Sequence, residues 1–359
     1  MRLRLPRLYS RMLKENRRWQ RQVKSLVNVV TAKSKTAKSK PASGKVATPA
    51  IARVVRRVKP RALPVRLKET LKFGPNSGDL RMLSYAPPGL EKGSALVVVL
   101  HGCQQTAEDF DRASGWGELA RRHGFAVLYP EQKPANNHHL CFNWFRPSSV
   151  RRDRGEVGSV RVMIDVMLRR HKLSPERIYV FGLSAGGALA GALLAAYPDV
   201  FAAGCVVAGM PVGAARDAVT AMRVMGQGTQ KSTADWASLA REASGSSPNA
   251  WPAISVWHGT HDRVVATANA DATVGQWLAL HGIEKATAGV RQSRQCTVSQ
   301  WRDAAGRIAV EEYRIDGMAH GLPVTKTRLA RARDKRFYLD AGICAATTMA
   351  RRWNLAGKG

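Results

Sequence analysis

The sequence predicts an α/β fold, in which a mostly parallel sheet carries helices on both faces. Short apolar or β-branched segments alternate with helical segments between residues 95 and 257, a pattern typical of parallel strands that are buried on both faces. One of these segments leads directly into Gly182-Leu183-Ser184-Ala185-Gly186 and then into a run of small apolar residues. A chain of 359 residues with 45% hydrophobic content can bury one large core, so we expect one main domain with an extension.

The extension is predicted to be a basic arm and disordered linker over residues 1–64. Residues 1–69 carry +19 of the net charge of +31. Apolar residues spaced among arginines and lysines favour a basic amphipathic helix over residues 1–30, and the Lys, Ser, Ala and Pro content of residues 31–62 predicts a disordered linker. The arm is either a solvated tail or a helix that docks on an anionic membrane, a polymer granule or nucleic acid. We expect contact with an anionic surface or granule and predict no specific nucleic-acid partner.

The main domain is predicted to span residues 65–359. Residues 67–73 and 80–85 alternate like strands and predict an antiparallel pair at a sheet edge. Further strands are predicted at residues 95–100, 125–129, 177–181, 201–207, 254–257 and 308–315, and helices at residues 160–171 and 185–196. Residues 211–251, rich in turn-forming residues, interrupt the alternation and are predicted to form a cap or lid.

Several classes of protein are excluded by composition. The five cysteines, at positions 103, 141, 205, 296 and 344, include no close CxxC or Cys/His pair, so we predict no structural zinc and no metal site. No apolar run reaches the ~18–20 residues that cross a bilayer, so we expect a soluble protein without a transmembrane segment. The residues that follow the first arginines are charged, so no ordinary secretory signal is visible.

Ser184 is the candidate nucleophile. A strand and a helix flank its GxSxG motif, and glycines in this context allow the tight turn that raises the serine Oγ above the sheet edge. The structural alternative is a glycine-rich turn whose serine caps the helix. A serine hydroxyl also needs a base, and a third group to hold that base. In the α/β-hydrolase fold, the acid and the histidine follow the serine in that order.

Asp262 and His320 meet this requirement of order. Asp262 follows the strand at residues 254–257, and His320 follows the strand at residues 308–315. Asp316 is the alternative acid. His258 and His261 could act as base or metal ligands, but His320 would then have no role, and His258 is expected to pack at the strand end.

An oxyanion hole is expected from backbone N–H groups, which would face the negative oxygen of a tetrahedral intermediate. One donor is predicted to be Ala185, the residue after the nucleophile. The other is predicted to be Cys103 or Gln104, in the loop after the strand at residues 95–100. An ordinary strand-terminal turn would have the same sequence.

These blocks resemble the esterases of the poly(3-hydroxybutyrate) depolymerase family, which are related to bacterial acetyl xylan and feruloyl esterases. The resemblance extends over about residues 70–355. Its blocks are Asp79-Leu80-Arg81-Met82 with Tyr85, Leu100-His101-Gly102-Cys103-Gln104-Gln105-Thr106, Ser114-Gly115-Trp116, Tyr129-Pro130-Glu131-Gln132, Cys141-Phe142-Asn143-Trp144-Phe145, Gly182-Leu183-Ser184-Ala185-Gly186-Gly187, Gly317-Met318-Ala319-His320-Gly321 and Leu339-Asp340-Ala341-Gly342-Ile343.

The resemblance implies an esterase of the α/β-hydrolase fold with Ser184, Asp262 and His320 as its triad and no cofactor. It implies a disulfide between Cys103 and Cys141 and an extracellular or extracytoplasmic location, although the absent signal leaves a cytoplasmic one open. Secreted members carry signal peptides, and no aromatic-rich domain for adsorption to solid polymer follows residue 355. We therefore expect polyhydroxyalkanoate-type, small or oligomeric esters as substrates.

Asn143, Trp144 and Phe145 are candidate substrate-binding residues, because an aromatic pair beyond a strand end could line the acyl or alcohol pocket. Core packing is the alternative for the same residues. Two other functions remain open. An acyltransferase would pass the acyl group to an alcohol, and a non-catalytic binding protein would use the basic arm to hold a polyanion.

Removal of residues 1–62 is expected to leave hydrolysis of a soluble p-nitrophenyl ester unchanged, because their composition cannot build a core. Binding to anionic vesicles should fall in the shortened chain, and in the full chain it should weaken steeply with salt. Turnover and vesicle sedimentation of both chains check this. Collapse of soluble-ester turnover in the shortened chain would show that the arm belongs to the catalytic fold.

Overall fold

The computed structural model describes residues 65–245, 248, 250–293 and 295–356. The predicted basic helix (residues 1–30) and linker (residues 31–62) lie outside these residues. The predicted pair of edge strands is present. Strand β1 (Lys68–Thr70) pairs in antiparallel register with β2 (Arg81–Tyr85) at one edge of the main sheet.

A ten-stranded sheet runs through the described residues. Its other strands are β3 (Leu96–Leu100), β4 (Ala126–Glu131), β5 (Ile178–Leu183), β6 (Ala203–Val207), β7 (Ala253–Gly259), β8 (Gly289–Gln292), β9 (Cys296–Arg302) and β10 (Ile308–Ile315). The spatial order is β1-β2-β4-β3-β5-β6-β7-β10-β9-β8, and the strands from β4 to β10 in this order are parallel. Two short strands, β11 (Leu322–Val324) and β12 (Tyr338–Asp340), pair separately.

Helices cover both faces of the sheet. They are α1 (Ala107–Ser114), α2 (Trp116–His123), α3 (Pro147–Val150), α4 (Gly155–His171), α5 (Ala185–Ala196), α6 (Ala218–Gln227), α7 (Thr233–Ser244), α8 (Ala268–His281), α9 (Lys326–Leu329) and α10 (Ala345–Arg352), with a 3₁₀ turn at Lys285–Thr287. Side chains of α4, α5, α7 and α8 share one apolar core, and those of α1, α2 and α10 share the other. The predicted fold class is confirmed.

Strand β3 shows why the central strands are apolar throughout. Leu96, Val98 and Leu100 belong to the core under α4 and α5, whereas Val97 and Val99 belong to the core on the opposite face. Successive side chains of a strand point to opposite faces, so a strand covered on both sides needs apolar residues at every position.

Helix α5 lies directly against the sheet and buries all 12 of its residues. Its small residues permit this close approach. A Cβ on Gly186 would lie 2.4 Å from the carbonyl oxygen of His101 and 2.5 Å from that of Leu100. The start of α5 is thereby held against the end of β3, which brings the loop after β3 to the turn that carries Ser184.

Residues 211–251, the predicted lid, divide into two parts. Helix α7 buries Trp236, Ala237 and Ala240, and its alanines join the main core beside α5 and α8. Helix α6 buries Ala221 and Val224 in a separate apolar cluster with Ala185 and Ala188. Only α6, of these two helices, is therefore placed to cover the region around Ser184.

Substitution Gly186→Ala is expected to destabilise the protein by about 1–3 kcal/mol, because the new methyl group meets backbone oxygens that cannot move away as a side chain could. Gly226→Ala is the matched control. This exposed glycine of α6 has no atom within 4 Å of an added Cβ, and alanine there should stabilise the helix by about 0.5–1 kcal/mol. Urea unfolding measures both, and equal effects would contradict the packing described for α5.

Candidate active site

Ser184 occupies the turn between β5 and α5 in a backbone conformation that glycine usually adopts. Its φ is 56° and its ψ is −118°, and its N–H donates to the carbonyl oxygen of Val207, 2.8 Å away. The turn requires glycine on both sides, because a Cβ on Gly182 would lie 2.1 Å from the oxygen of Gly186. The GxSxG spacing therefore follows from steric exclusion.

Ser184, His320 and Asp262 form one hydrogen-bonded array. The Oγ of Ser184 lies 3.0 Å from Nε2 of His320, and Nδ1 of His320 lies 2.7 Å from Oδ2 of Asp262. The three residues are 8%, 5% and 7% exposed, so little water competes for these bonds. The array matches the arrangement in which a histidine accepts a serine proton while an acid fixes its tautomer.

The loops that carry Asp262 and His320 are bonded directly to each other. The N–H of Thr260 donates to Ile315, the N–H of His261 donates to Met318, and the N–H of Gly317 donates to Oγ1 of Thr260, at 2.9–3.0 Å. Strands β7 and β10 are parallel neighbours, so their terminal loops leave the sheet side by side. This pairing fixes the distance between the acid and the histidine.

Four groups stabilise the buried carboxylate of Asp262. Oδ1 accepts the N–H groups of Val264 and Val265 at 2.9 and 2.8 Å, and Oδ2 faces His320 and, at 3.3 Å, Nε2 of His258. Burial acts to raise the pKa of Asp262, but the charge of His320 and the hydrogen bonds from His258 and His320 outweigh burial and lower that pKa well below its usual range. Asp262 is therefore ionised.

The alternatives to Asp262 and His320 occupy other positions. Asp316 and His261 are exposed, and His261 contacts the hydroxyl of Thr260. His258 is buried at the end of β7, where its Nε2 lies 2.9 Å from the oxygen of Val265 as well as 3.3 Å from Asp262. Sequence reasoning assigned His258 to packing and missed its contact with the acid; a histidine four residues before that acid was the available signal.

The loop His101–Gln105, which we call the oxyanion loop, contains the two predicted donors Cys103 and Gln104. Only one of their two N–H groups is available to bind an oxyanion. The N–H of Gln104 is bonded to the oxygen of His139 at 2.7 Å, and the N–H of Gly102 is bonded to Oε1 of Gln105 at 2.7 Å. Among the described residues, no acceptor binds the N–H of Cys103. Ala185 is the first residue of α5, where backbone N–H groups have no partner within the helix. These contacts favour Cys103 with Ala185 over Gln104.

Cys103 and Cys141 form a disulfide in the structure, with Cα atoms 4.2 Å apart. This bond ties the oxyanion loop to the segment after β4. The remaining cysteines, Cys205, Cys296 and Cys344, are buried and are not in disulfides.

The three predicted substrate-binding residues differ in their surroundings. Asn143 is buried, and its backbone N–H and its Nδ2 both donate to the carboxylate of Glu156 at 2.8 Å. Trp144 and Phe145 are also buried and pack in the cluster that contains Ala185. Asn143 is thus engaged with Glu156, while the two aromatic rings lie beside the Ser184 turn.

Comparison with known proteins identifies the family. The family model described as esterase PHB depolymerase matches residues 80–299. Poly(3-hydroxyalkanoate) depolymerase C of Paucimonas lemoignei is 37% identical over 293 residues, which cover 81% of this chain and 70% of that protein. The chain belongs to the esterase PHB depolymerase family.

Two further similarities agree with this family and with the fold. An acetylxylan esterase of Coprinopsis cinerea is 28% identical over 271 residues, covering 74% of this chain and 71% of that protein. The solved acetyl xylan esterase of Aspergillus awamori superposes with a TM-score of 0.70 at 20% identity, covering 81% of this chain and all of that one. The predicted family and the predicted enzyme class, an esterase, are confirmed.

This member of the esterase PHB depolymerase family is a carboxylic-ester hydrolase. Within the part of the chain that the structure describes, no group of three or more His, Cys, Asp or Glu side chains could hold a metal ion. No helix in that part is long and apolar enough to cross a membrane.

Replacing both Cys103 and Cys141 by serine is expected to lower the free energy of unfolding by about 2–4 kcal/mol, because the bond closes a loop across 38 positions of the sequence. Urea unfolding with and without a reductant measures the effect. The reductant should destabilise the parent protein and leave the double variant unchanged. The stabilising role of the bond would be contradicted if the reductant left the free energy of unfolding of the parent protein unchanged, although thiol titration showed that the bond was reduced.

Proposed function

We propose that this esterase works through an acyl-enzyme formed on Ser184, with His320 as general base and acid and Asp262 as the group that orients His320. The hydrogen-bonded array of the three side chains carries this proposal. Each member stands on a different strand-terminal loop, yet their polar atoms meet at 3.0 and 2.7 Å. A strained turn at the serine adds support, since strain of this kind is concentrated at functional sites.

In the first half of the reaction, Oγ of Ser184 bonds to the ester carbonyl carbon while its proton passes to Nε2 of His320. The carbonyl oxygen becomes an oxyanion, which the N–H groups of Cys103 and Ala185 bind. The tetrahedral intermediate then breaks its bond to the alcohol oxygen. That oxygen leaves with the proton from His320, and the acyl group remains on Ser184.

In the second half, water replaces the alcohol. His320 takes a proton from water as the water oxygen bonds to the acyl carbon, and the second tetrahedral intermediate expels Oγ of Ser184, which recovers its proton from His320. Throughout, Asp262 remains ionised and stabilises the imidazolium that forms. Its low pKa keeps the proton on His320.

The acyl or alcohol part of the substrate is proposed to contact the apolar cluster beside Ser184. Trp144, Phe145 and Met210 belong to this cluster with the α6 side chains Ala221 and Val224. Such a surface favours aliphatic esters over sugar esters. The name of the Paucimonas lemoignei relative, a poly(3-hydroxyalkanoate) depolymerase, supports hydroxyalkanoate oligomers and related small esters as the substrate class.

Ser184→Ala and His320→Ala are each expected to lower kcat for a p-nitrophenyl ester by several orders of magnitude, about 10⁴-fold or more, because the three residues act as a unit. Asp262→Asn should cost somewhat less. Circular dichroism and thermal unfolding serve as controls for folding. A folded Ser184→Ala protein with near-normal turnover would refute the assignment.

Product analysis separates hydrolysis from acyl transfer. With an alcohol present, the proposed hydrolase should still release mainly the free acid, whereas an acyltransferase would release mainly a new ester.

A series of p-nitrophenyl esters of increasing chain length, beside 3-hydroxybutyrate oligomers and acetylated xylan, tests the substrate class.

A further inference from the structure

We infer that Glu156, at the start of α4 and outside the Ser184–His320–Asp262 array, is a positioning residue for the oxyanion loop and acts through buried Gln132 and His101. The inference rests on the proposed acyl-enzyme mechanism and adds a residue to it. Glu156, Gln132 and His101 are each 1% exposed, so the hydrogen bonds among them are shielded from water.

The chain of hydrogen bonds runs from Glu156 to the peptide group of Cys103. Nε2 of Gln132 donates to Oε1 of Glu156 at 2.7 Å, and the backbone N–H of Gln132 donates to Nε2 of His101 at 3.1 Å. A backbone N–H can only donate, so Nε2 of His101 is the acceptor and Nδ1 carries the proton. That Nδ1 donates to the oxygen of Gly102 at 2.8 Å.

This last bond sets the direction of the proposed oxyanion donor. The oxygen of Gly102 and the N–H of Cys103 belong to the same planar peptide unit, in which they point in opposite directions. His101 therefore fixes the plane that contains the Cys103 N–H. Burial lowers the pKa of His101, against the effects of its bond to Gly102 and the charge of Glu131, so the neutral tautomer that this geometry requires is maintained.

A second route joins Glu156 to Cys103 through the disulfide. Oε2 of Glu156 accepts the backbone N–H of Asn143, and Nε2 of Gln132 also donates to the oxygen of Cys141 at 3.1 Å. Cys141 is bonded to Cys103, and the ring of the intervening Phe142 lies 4.7 Å from that of His101. Two residues of the oxyanion loop, His101 and Cys103, are thus connected to one carboxylate.

The partners of Glu156 require its ionised form. Among the described residues, three hydrogen bonds reach its carboxylate, and all three come from N–H donors of Gln132 and Asn143, so a carboxylic O–H would displace one of them. Burial raises the pKa of Glu156 to about 7, opposed by these N–H groups and by Arg146. The neighbouring charges are paired elsewhere: Glu131 with Arg81, and Lys133 with Asp79.

The resulting pH dependence has a definite sign. As the pH falls through about 7, Glu156 takes up a proton and the oxyanion loop loses one of its supports. The kcat/KM of the parent enzyme therefore decreases as the pH falls through about 7, and an enzyme without Glu156 lacks this decrease.

The experiment compares Glu156→Gln with Glu311→Gln on a soluble p-nitrophenyl ester across pH 5–9. Glu156→Gln should lower kcat about 10-fold or more with little change in KM, because an oxyanion donor acts mainly in the transition state. Because glutamine resembles the protonated carboxyl, the ratio of kcat/KM in the parent to kcat/KM in Glu156→Gln should be about 10 or more at pH 9 and should shrink toward 1 as the pH falls through about 7.

Glu311 is the matched control because it is a buried carboxylate that is hydrogen-bonded to Ser255 and Gln300 on the neighbouring strands β7 and β9. Glu311→Gln should shift the thermal midpoint while leaving kcat and the decrease in kcat/KM near pH 7 intact. Gln132→Met provides a second test in case Glu156→Gln does not fold. It breaks the chain at its middle, should reproduce the fall in kcat, and should show no further loss when combined with Glu156→Gln.

The outcome separates this inference from the function on which it rests. A parent-like kcat and a parent-like decrease in kcat/KM near pH 7 in folded Glu156→Gln and Gln132→Met proteins would overturn the role of Glu156, provided that Ser184→Ala is inactive. A parent enzyme that does not hydrolyse the ester, or a Ser184→Ala protein that does, would instead overturn the proposed function itself.

Discussion

The positive φ of Ser184 is the constraint on which the rest of the site depends. Holding a non-glycine residue in this region costs about 1–3 kcal/mol, and the structure maintains it with the bond to Val207 and with glycines whose replacement would drive backbone atoms together. The same turn directs the Ser184 Oγ toward His320 and starts α5 beside the oxyanion loop. The nucleophile and Ala185, the proposed oxyanion donor at the start of α5, are therefore positioned by one steric arrangement, and a change that relaxes it would disturb both together.

Two buried carboxylates have different roles in the proposed site. Asp262 orients the base His320, and Glu156 supports the oxyanion loop. Asp262 is surrounded by backbone N–H groups and two histidines, which keep it ionised next to the base. Glu156 is surrounded by amide donors, and no cation among the described residues forms an ion pair with it, so burial raises its pKa. Both follow the rule that a buried charge must be hydrogen-bonded to be tolerated. The difference in their partners explains why one carboxylate is a constant element of the site and the other titrates near neutral pH.

The sequence was sufficient for the groups that stand at the ends of strands. Parallel strands bring their terminal loops to one edge of the sheet, so the order of Ser184, Asp262 and His320 was enough to predict that they meet. The sequence was insufficient where a buried group has several possible hydrogen-bond partners. In the sequence, Glu156 looks like any other acidic residue in the first turn of a helix. The neighbouring residues do not indicate that Asn143 donates to Glu156, or that the N–H of Gln104 donates to the oxygen of His139. Strand β8 was not predicted because all four of its residues are exposed and lack alternation.

The central claim is that Oγ of Ser184 forms the covalent bond to the acyl group. Covalent labelling tests this claim most directly. A p-nitrophenyl phosphonate places phosphorus where the ester carbonyl carbon would stand and forms a stable bond to an activated serine. We expect mass spectrometry to find one phosphonyl group per chain, located on the peptide that contains Ser184, with activity lost in proportion to labelling. Labelling of another residue in step with the loss of activity, or full activity after stoichiometric modification of Ser184, would contradict the account.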